Sequence, residues 1–168
     1  MSECIDIIFS KSFLGSNDLK TAIDIVNNLC WKYVREPKTD GRSVGHFISD
    51  LSEYSFFKEK VFDFIQKFTG KKFNLERVYA DGRTFGQDGN FKKDERNNRY
   101  TFLMFLTEYN MNVKLGGQTF FKGERDTKCT DPIYNSVAFF KSDVLNKRAA
   151  PRQNLMGITV VYELEEIV

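Results

Sequence analysis

Histidine is the scarcest chemically useful residue in this chain of 168: it occurs once, as His46. Enzymes that hold iron, zinc or copper through imidazole usually need two or three histidines. A lone histidine is more often a packing or surface residue than a ligand, and we expect this of His46. The shortage argues against any metal centre that needs two imidazoles from this chain.

Cysteine, net charge and long apolar runs are also scarce. The cysteines, Cys4, Cys30 and Cys129, are too few and too scattered for a disulfide framework, which indicates reduced thiols in an intracellular protein. The first 14 residues carry Glu3 and Asp6 and lack the apolar stretch of a signal peptide, so we expect no secretion. No run is long enough for a membrane span. A formal charge of +2 gives no strong basic field and argues against a nucleic-acid partner.

Phenylalanine, in contrast, is abundant, with 17 residues. Each buried ring removes a large apolar area from water, so we predict a core built largely on aromatic packing. A length of 168 residues fits one domain with a sizeable core. Because no internal repeat or linker-like tract is present, we predict a single domain over 1–168, with a helical lead over 1–70 and a strand-rich core over 74–168.

Two amphipathic helices are predicted in the lead. Asn17 is the expected N-cap of the first, which runs to about Leu29. Ser55 can cap the second and Gly70 can end it. Between them, 31–34 alternates like a short strand and 36–45 is a polar loop. We interpret both apolar stripes as core packing: Leu19, Ala22, Ile23, Val26 and Cys30 in the first helix, and Phe57, Val61, Phe64, Ile65 and Phe68 in the second.

Short β-runs dominate from residue 74 onward. The candidates are 75–80, 100–106, 119–121, 136–140 and 158–164, separated by turn residues at 81–82, 88–89, 116–117 and 131–132. The last run alternates well, with Ile158, Val160, Tyr162 and Leu164 on one face. Helices followed by several short strands predict an α+β fold, a sandwich or jelly roll with the helices packed on one sheet.

Six segments over residues 76–164 carry a recognisable pattern. The first, RVYADGRTFGQDGNF at 77–91, matches a stretch of the form RxYxxGxxxGxDxxFHxD. The others are YTFLMFL (100–106), GGQTFF (116–121), NSVAFF (135–140), LNKRAAP (145–151) and GITVVY (157–162). Taken together and in this order, they resemble the catalytic core of prolyl-4-hydroxylase-like 2-oxoglutarate/Fe(II) oxygenases. The resemblance implies a double-stranded β-helix, a cupin-like jelly roll, and the leading helices match the family as well.

The same resemblance shows where the iron ligands of the family are replaced. The reaction needs Fe(II) on two histidines and one carboxylate, supplied by an H-x-D pair and a distal histidine. The H-x-D positions are Lys92, Lys93 and Asp94 here, and the distal histidine is Asn146. An ammonium repels a dication and offers no lone pair, and a neutral amide is a poor ligand. We therefore expect no metal and no catalytic residue, only degenerate ligand positions.

The cosubstrate positions are altered too. The family usually anchors 2-oxoglutarate through an Arg or Lys on the last strand, and the matching residue is Leu155, with Thr159 kept further on. Phe105 replaces a tyrosine that often assists, whereas Tyr79 is retained. Loss of a bidentate cation removes the main anchor for a dicarboxylate. Arg152 lies close enough to substitute, but we expect a vestigial pocket and no bound cofactor.

Basic residues near these positions allow two interpretations. Lys92 either pairs with Asp94 in place of the metal or extends into solvent. A basic mouth would bind an acidic peptide, a phosphate or nucleic acid, and otherwise it is a solvated charged face. A polar insertion at 122–131, which contains Cys129, is either a partner-binding loop or a surface excursion. The basic residues are Lys92, Lys93, Lys141, Lys147, Arg148 and Arg152.

Three functions follow as hypotheses. The first is a non-catalytic oxygenase-like domain that acts as a protein-binding or structural subunit, with a protein as partner. The alternative is an active prolyl-hydroxylase-like dioxygenase with an atypical metal site or with ligands from a partner chain. A third is unrelated chemistry that uses Lys92 or Lys147 as a nucleophile.

Overall fold

Two antiparallel sheets, with helices on the outer face of the larger one, make up the protein. The computed structural model describes residues 5–35, 44–108, 116–124 and 126–167. The expected polar loop at 36–45 lies almost entirely outside these residues, as does Cys4. The larger sheet has seven strands in the order β1-β8-β5-β10-β4-β3-β2, and the smaller has the order β7-β6-β9. This arrangement confirms the jelly roll with helices on one sheet.

Within the described residues, all the helices lie in the first half of the chain, where they alternate with strands. Helix α1 spans Ser16–Asn27, and a π-helical segment, Phe56–Val61, continues into α2, Phe62–Thr69. No helix in the described residues is long and apolar enough to cross a membrane. The strands are β1 (Ile7–Ser10), β2 (Lys32–Arg35), β3 (Gly45–Asp50), β4 (Phe73–Arg83), β5 (Arg99–Phe105), β6 (Thr119–Lys122), β7 (Thr127–Thr130), β8 (Ser136–Lys141), β9 (Leu145–Arg148) and β10 (Gly157–Glu166).

The main core lies between the helices and the outer face of the large sheet. Strand β10 follows the expected alternation, because Val160, Tyr162 and Leu164 all enter this core. Both helices contribute through the stripes that their sequences predict, for example Val26 and Ile65. Aromatic rings fill much of the space, as the phenylalanine content indicates. The fully buried rings on this side include Phe57, Phe102 and Tyr162.

A second, smaller core joins the two sheets. Phe121 of β6 meets Phe140 of β8 edge-on, with ring centroids 4.8 Å apart. Leu103, Val161 and Tyr79 reach this space from the inner face of the large sheet. The aromatic contact therefore holds the small sheet against the inner face of the large one.

Several local predictions are wrong. Gly15, not Asn17, is the N-cap of α1, and Asn17 lies inside its first turn. The lead at 1–70 contains β2 close to the short strand expected at 31–34, but β1 and β3, which also join the large sheet, were not expected. The expected turn at 81–82 lies within β4, and the expected insertion at 122–131 contains β7. Gly70 ends α2 as predicted, with a left-handed φ of 67° that glycine adopts without strain.

Candidate functional site

A cleft of about 190 Å³ opens between the two sheets. Its walls are the inner faces of β4, β5 and β10 on one side and β9 with the segment around residue 93 on the other. Most of its residues are charged or polar. The lining residues are Tyr79, Lys92, Lys93, Asp94, Arg96, Arg99, Tyr100, Thr101, Leu103, Ser142, Asn146, Arg148, Val161, Glu163 and Leu164.

Lys92 and Asn146, two of the three positions that the sequence motif aligns with iron ligands, lie side by side on one wall of this cleft. Their backbones form an antiparallel bridge, with N–H···O distances of 2.8 Å and 2.9 Å. The Asn146 side-chain amide donates to the Val144 carbonyl at 2.9 Å and to the Lys92 carbonyl at 3.2 Å. The amide of Asn146 is therefore already used in holding the local chain.

Asp94, the third of these positions, has a cation partner other than the expected one. The Arg96 side chain donates from Nε at 2.9 Å and 3.0 Å to the two carboxylate oxygens, and from Nη2 at 2.5 Å. The Arg96 backbone N–H adds a contact of 3.1 Å. The Arg96 hydrogen bonds lower the pKa of Asp94 below its ordinary value, against a small opposing effect of burial. Arg96 is thus a cation partner of Asp94 that the sequence did not predict, and the pairing of Asp94 with Lys92 stays a prediction.

This set of residues does not fit a divalent iron. An octahedral Fe(II) site of this type needs two imidazoles and a carboxylate on one face. Here one donor is an ammonium, one is an amide engaged with two carbonyls, and the carboxylate is held by a guanidinium. Within the described residues, no group of three or more His, Cys, Asp or Glu side chains is placed to hold a metal ion.

Deeper in the interior, Asp81 of β4 forms the centre of a buried ionic cluster. Arg83 donates to it from Nε at 3.0 Å, Arg148 Nη2 lies 3.2 Å away, and His46 Nε2 lies 3.3 Å away. All four are nearly inaccessible, with exposed fractions of 1% for Asp81, 4% for Arg83, 7% for His46 and 8% for Arg148. Burial alone raises the pKa of Asp81, but Arg148, Arg83 and His46 together hold it below its ordinary value.

Arg148 connects this cluster to the cleft. It lies on β9, two residues from Asn146, so both side chains point inward. It also lies near the Tyr79 hydroxyl, where burial raises the pKa of the tyrosine and the guanidinium offsets only part of the rise. The cation therefore crosses from the small sheet to the large one, where it meets Asp81.

The expected cosubstrate residues are not all brought together. All of them lie in the described part of the chain, but only Tyr79 lines the cleft. Phe105 and Thr159 are cross-strand partners on β5 and β10, and Phe105 is buried in the core between the sheets. Leu155 and Arg152 lie in the turn before β10, and Arg152 is exposed.

The expected basic mouth is also only partly assembled. Lys92, Lys93 and Arg148 line the cleft, whereas Lys141 lines a neighbouring depression with Arg96 and Arg99. Arg152 lies outside both. Lys147 faces away from the cleft, because its ammonium lies over the rings of Phe91 and Phe120 at 5.1 Å and 5.5 Å. Lys147 is thus not a cleft nucleophile.

Comparisons with solved structures identify the fold. The chain is similar to a 2OG-Fe(II) oxygenase family protein from Burkholderia pseudomallei, with a TM-score of 0.73 and 11% identity over 95% of this chain and 84% of that one. It is similar to a prolyl hydroxylase from Trichoplax adhaerens at TM-score 0.70 and 14% identity, covering 95% and 83% of the two chains.

A third solved structure extends the same likeness. A Pseudomonas putida prolyl-4-hydroxylase gives a TM-score of 0.61 at 13% identity over 96% of this chain and 93% of that one. No family model and no curated protein matches the chain. At these identities the likeness shows the fold, the double-stranded β-helix of 2-oxoglutarate/iron oxygenases.

Proposed function

We propose that this chain is a non-catalytic domain on an oxygenase fold, which acts by binding a protein partner. One observation carries the proposal: each residue at a position that binds iron in the family is committed to another contact. The Asn146 amide holds two carbonyls, the Lys92 backbone is bridged to Asn146, and the Asp94 carboxylate is held by Arg96. A metal would have to displace Arg96 to reach the Asp94 carboxylate, and it would find no imidazole at the other two positions.

The cosubstrate side of the cleft supports the same conclusion. A dicarboxylate needs a cation that is able to form a bidentate contact with it. The Arg148 guanidinium beside Tyr79 is already engaged with Asp81, and removing it from that carboxylate would leave a buried charge uncompensated. Leu155, at the position of the usual anchor, offers no charge.

The charge pattern of the cleft favours a protein over a polyanion. Cleft cations are matched locally by carboxylates, because Arg96 pairs with Asp94, Lys93 with Glu95, and Arg99 with Glu76. Nucleic-acid surfaces instead present an unbalanced basic patch. A protein partner with charges of both signs suits this lining. An intracellular setting is part of the proposal, and it accords with Cys30 and Cys129 as free, exposed thiols.

Metal content and turnover test the absence of catalysis. The purified full chain is loaded with Fe(II) and ascorbate, exchanged into metal-free buffer, and assayed for bound iron and for succinate formed from 2-oxoglutarate. The Pseudomonas putida prolyl-4-hydroxylase serves as the active control. We expect iron and succinate at the level of a blank. Iron-dependent succinate formation would overturn the proposal and establish the alternative, a working dioxygenase with an atypical metal site.

Site-specific photocrosslinking tests the binding role. A photoreactive residue replaces Lys93 at the cleft or, as the matched control, Lys58 on the exposed surface of the π-helical segment. In a lysate of the source cells, we expect one protein to be crosslinked from Lys93 and not from Lys58. Equal crosslinking from both positions, or crosslinking to nucleic acid, would contradict a cleft-bound protein partner.

A further inference from the structure

The contact between Arg96 and Asp94 occupies the carboxylate and also fixes the position of the guanidinium. Two carboxylate oxygens receive three side-chain hydrogen bonds and one backbone hydrogen bond from the same residue, two positions along the chain. A planar guanidinium matches a carboxylate in this way, and a lysine ammonium does not. The cation is therefore fixed by geometry and by sequence proximity at the face of Asp94.

We propose that Arg96 is the residue that keeps divalent metal ions off this cleft, acting as a built-in cation at Asp94. The inference rests on the proposed function, since it explains how a metal-free cleft is maintained. A metal on Asp94 would have to displace the fork of hydrogen bonds and then lie beside a displaced guanidinium. A guanidinium and a divalent cation beside the same carboxylate repel each other even near the surface.

A neighbouring lysine makes it possible to distinguish the specific role of Arg96 from a general effect of positive charge. Lys93 lies in the same cleft lining and carries the same charge, but its ammonium pairs with Glu95 at 2.7 Å and not with Asp94. Removing Lys93 changes the local charge as much as removing Arg96 does, and it leaves the Asp94 contact intact. Lys93 is thus a matched control for charge alone.

A gain-of-binding series tests the proposal. Lys92→His with Asn146→His restores the two imidazoles, and this double variant is compared with versions that add Arg96→Gln or Lys93→Gln. Zinc and cobalt affinities are measured by calorimetry, and the cobalt absorption spectrum reports the coordination. We expect Arg96→Gln to tighten metal binding about tenfold and Lys93→Gln to change it by less than about threefold.

The outcomes are distinct. Equal affinities for the double variant and its Arg96→Gln version would overturn the role of Arg96, and so would an equal gain from Lys93→Gln. Neither result touches the proposed function, whose absence of catalysis is overturned if the unaltered chain itself binds iron and forms succinate. Adding Asp94→Ala to the tightest variant is expected to abolish the gain, because the carboxylate is the contested ligand.

A second measurement needs no restored histidine. The side-chain Nε–H of Arg96 gives its own nitrogen–proton NMR signal, and a hydrogen bond to Asp94 shifts it and slows its exchange with water. We expect a slowed signal in the unaltered chain and its loss in Asp94→Asn. An Arg96 signal that already exchanges like a free guanidinium in the unaltered chain would contradict the proposal even if the histidine variants failed to fold.

Discussion

Arginine side chains hold both Asp81 and Asp94, but the surroundings of the two carboxylates differ. Asp81 lies in the interior, with an exposed fraction of 1%, and contacts Arg83 and Arg148. Asp94 lies at the surface, with a side chain that is 33% exposed, and contacts Arg96, whose side chain is 59% exposed. The chemistry of the two pairs is the same, so the difference in burial decides what each pair does.

Burial makes the Asp81 cluster a structural device. A charge removed from water is costly, and its partners repay the cost only while all of them remain in place. The cluster joins β4 of the large sheet to β9 of the small one, so it fixes the sheets to each other. Solvent screens the Asp94 pair, which therefore adds little to stability. Its proposed role is instead to exclude divalent metal ions from the cleft.

The largest predicted effect is a loss of stability when the buried cluster loses its carboxylate. Asp81→Asn keeps the shape of the side chain but removes the negative charge that Arg83 and Arg148 share. We expect a loss of about 3–5 kcal/mol in the free energy of unfolding, as for other buried pairs that lose one partner. Urea unfolding followed by circular dichroism measures it.

The surface pair supplies the control. Asp94→Asn makes the same chemical change where water replaces the lost contacts, so its urea midpoint is expected to stay within the error of the measurement. If both variants lose similar stability, burial does not distinguish the two pairs and the interpretation above is wrong.

A smaller effect separates the two arginines of the cluster. Arg148→Met removes the guanidinium that crosses between the sheets, while Asp81 keeps the Arg83 contacts at 3.0 Å and 3.4 Å. We expect a loss of about 2 kcal/mol, the scale of one charged hydrogen bond, and thus a smaller loss than for Asp81→Asn. Thermal unfolding by calorimetry measures it, and a loss as large as that of Asp81→Asn would mean that Arg83 does not sustain Asp81 alone.

The sequence indicates the large sheet far better than the small one. Strand β10 is evident because its inward residues are apolar and alternate with a period of two. Strand β9 shows no such alternation, because its inward residues are Asn146 and Arg148. Strand β1 has only four residues at a sheet edge, which is too short for a periodic pattern. Apolar periodicity detects strands over an apolar core, and the cleft side of this fold is largely polar.

The candidate site was predictable where it depends on a motif and not where it depends on distant pairs. The spacing of the family motif indicated Lys92, Asp94 and Asn146 as candidate site residues. The same motif indicated Tyr79 as a residue kept from the family's cosubstrate pocket. Nothing in the sequence links Asp81 to Arg148, because the two meet only when β9 packs across the large sheet. Arg148 was expected at a solvated basic mouth, and it is in fact nine-tenths buried.

The smallest predicted effect is the acid sensitivity that the Asp81 carboxylate gives to the stability of the fold. The pKa of Asp81 is lower in the folded chain than its ordinary value, so the ionised carboxylate stabilises the fold above the unfolded pKa of about 3.9. This contribution is lost as the pH falls through the lower, folded pKa. The stability gap between the unaltered chain and Asp81→Asn should therefore narrow below about pH 4.

Urea unfolding at intervals from pH 5 to pH 3 measures that gap, over a range in which the Asp81 carboxylate of the unfolded chain becomes protonated. The Arg148→Met variant sharpens the comparison, because one guanidinium fewer then offsets the burial of Asp81 and the folded pKa of this carboxyl is higher. The narrowing should still begin near the unfolded pKa of about 3.9, but it should be smaller and end at a higher pH. A gap that stays constant down to pH 3 would show that the charge of Asp81 does not stabilise the fold, and that its hydrogen bonds, which asparagine partly reproduces, are sufficient to hold the two sheets together.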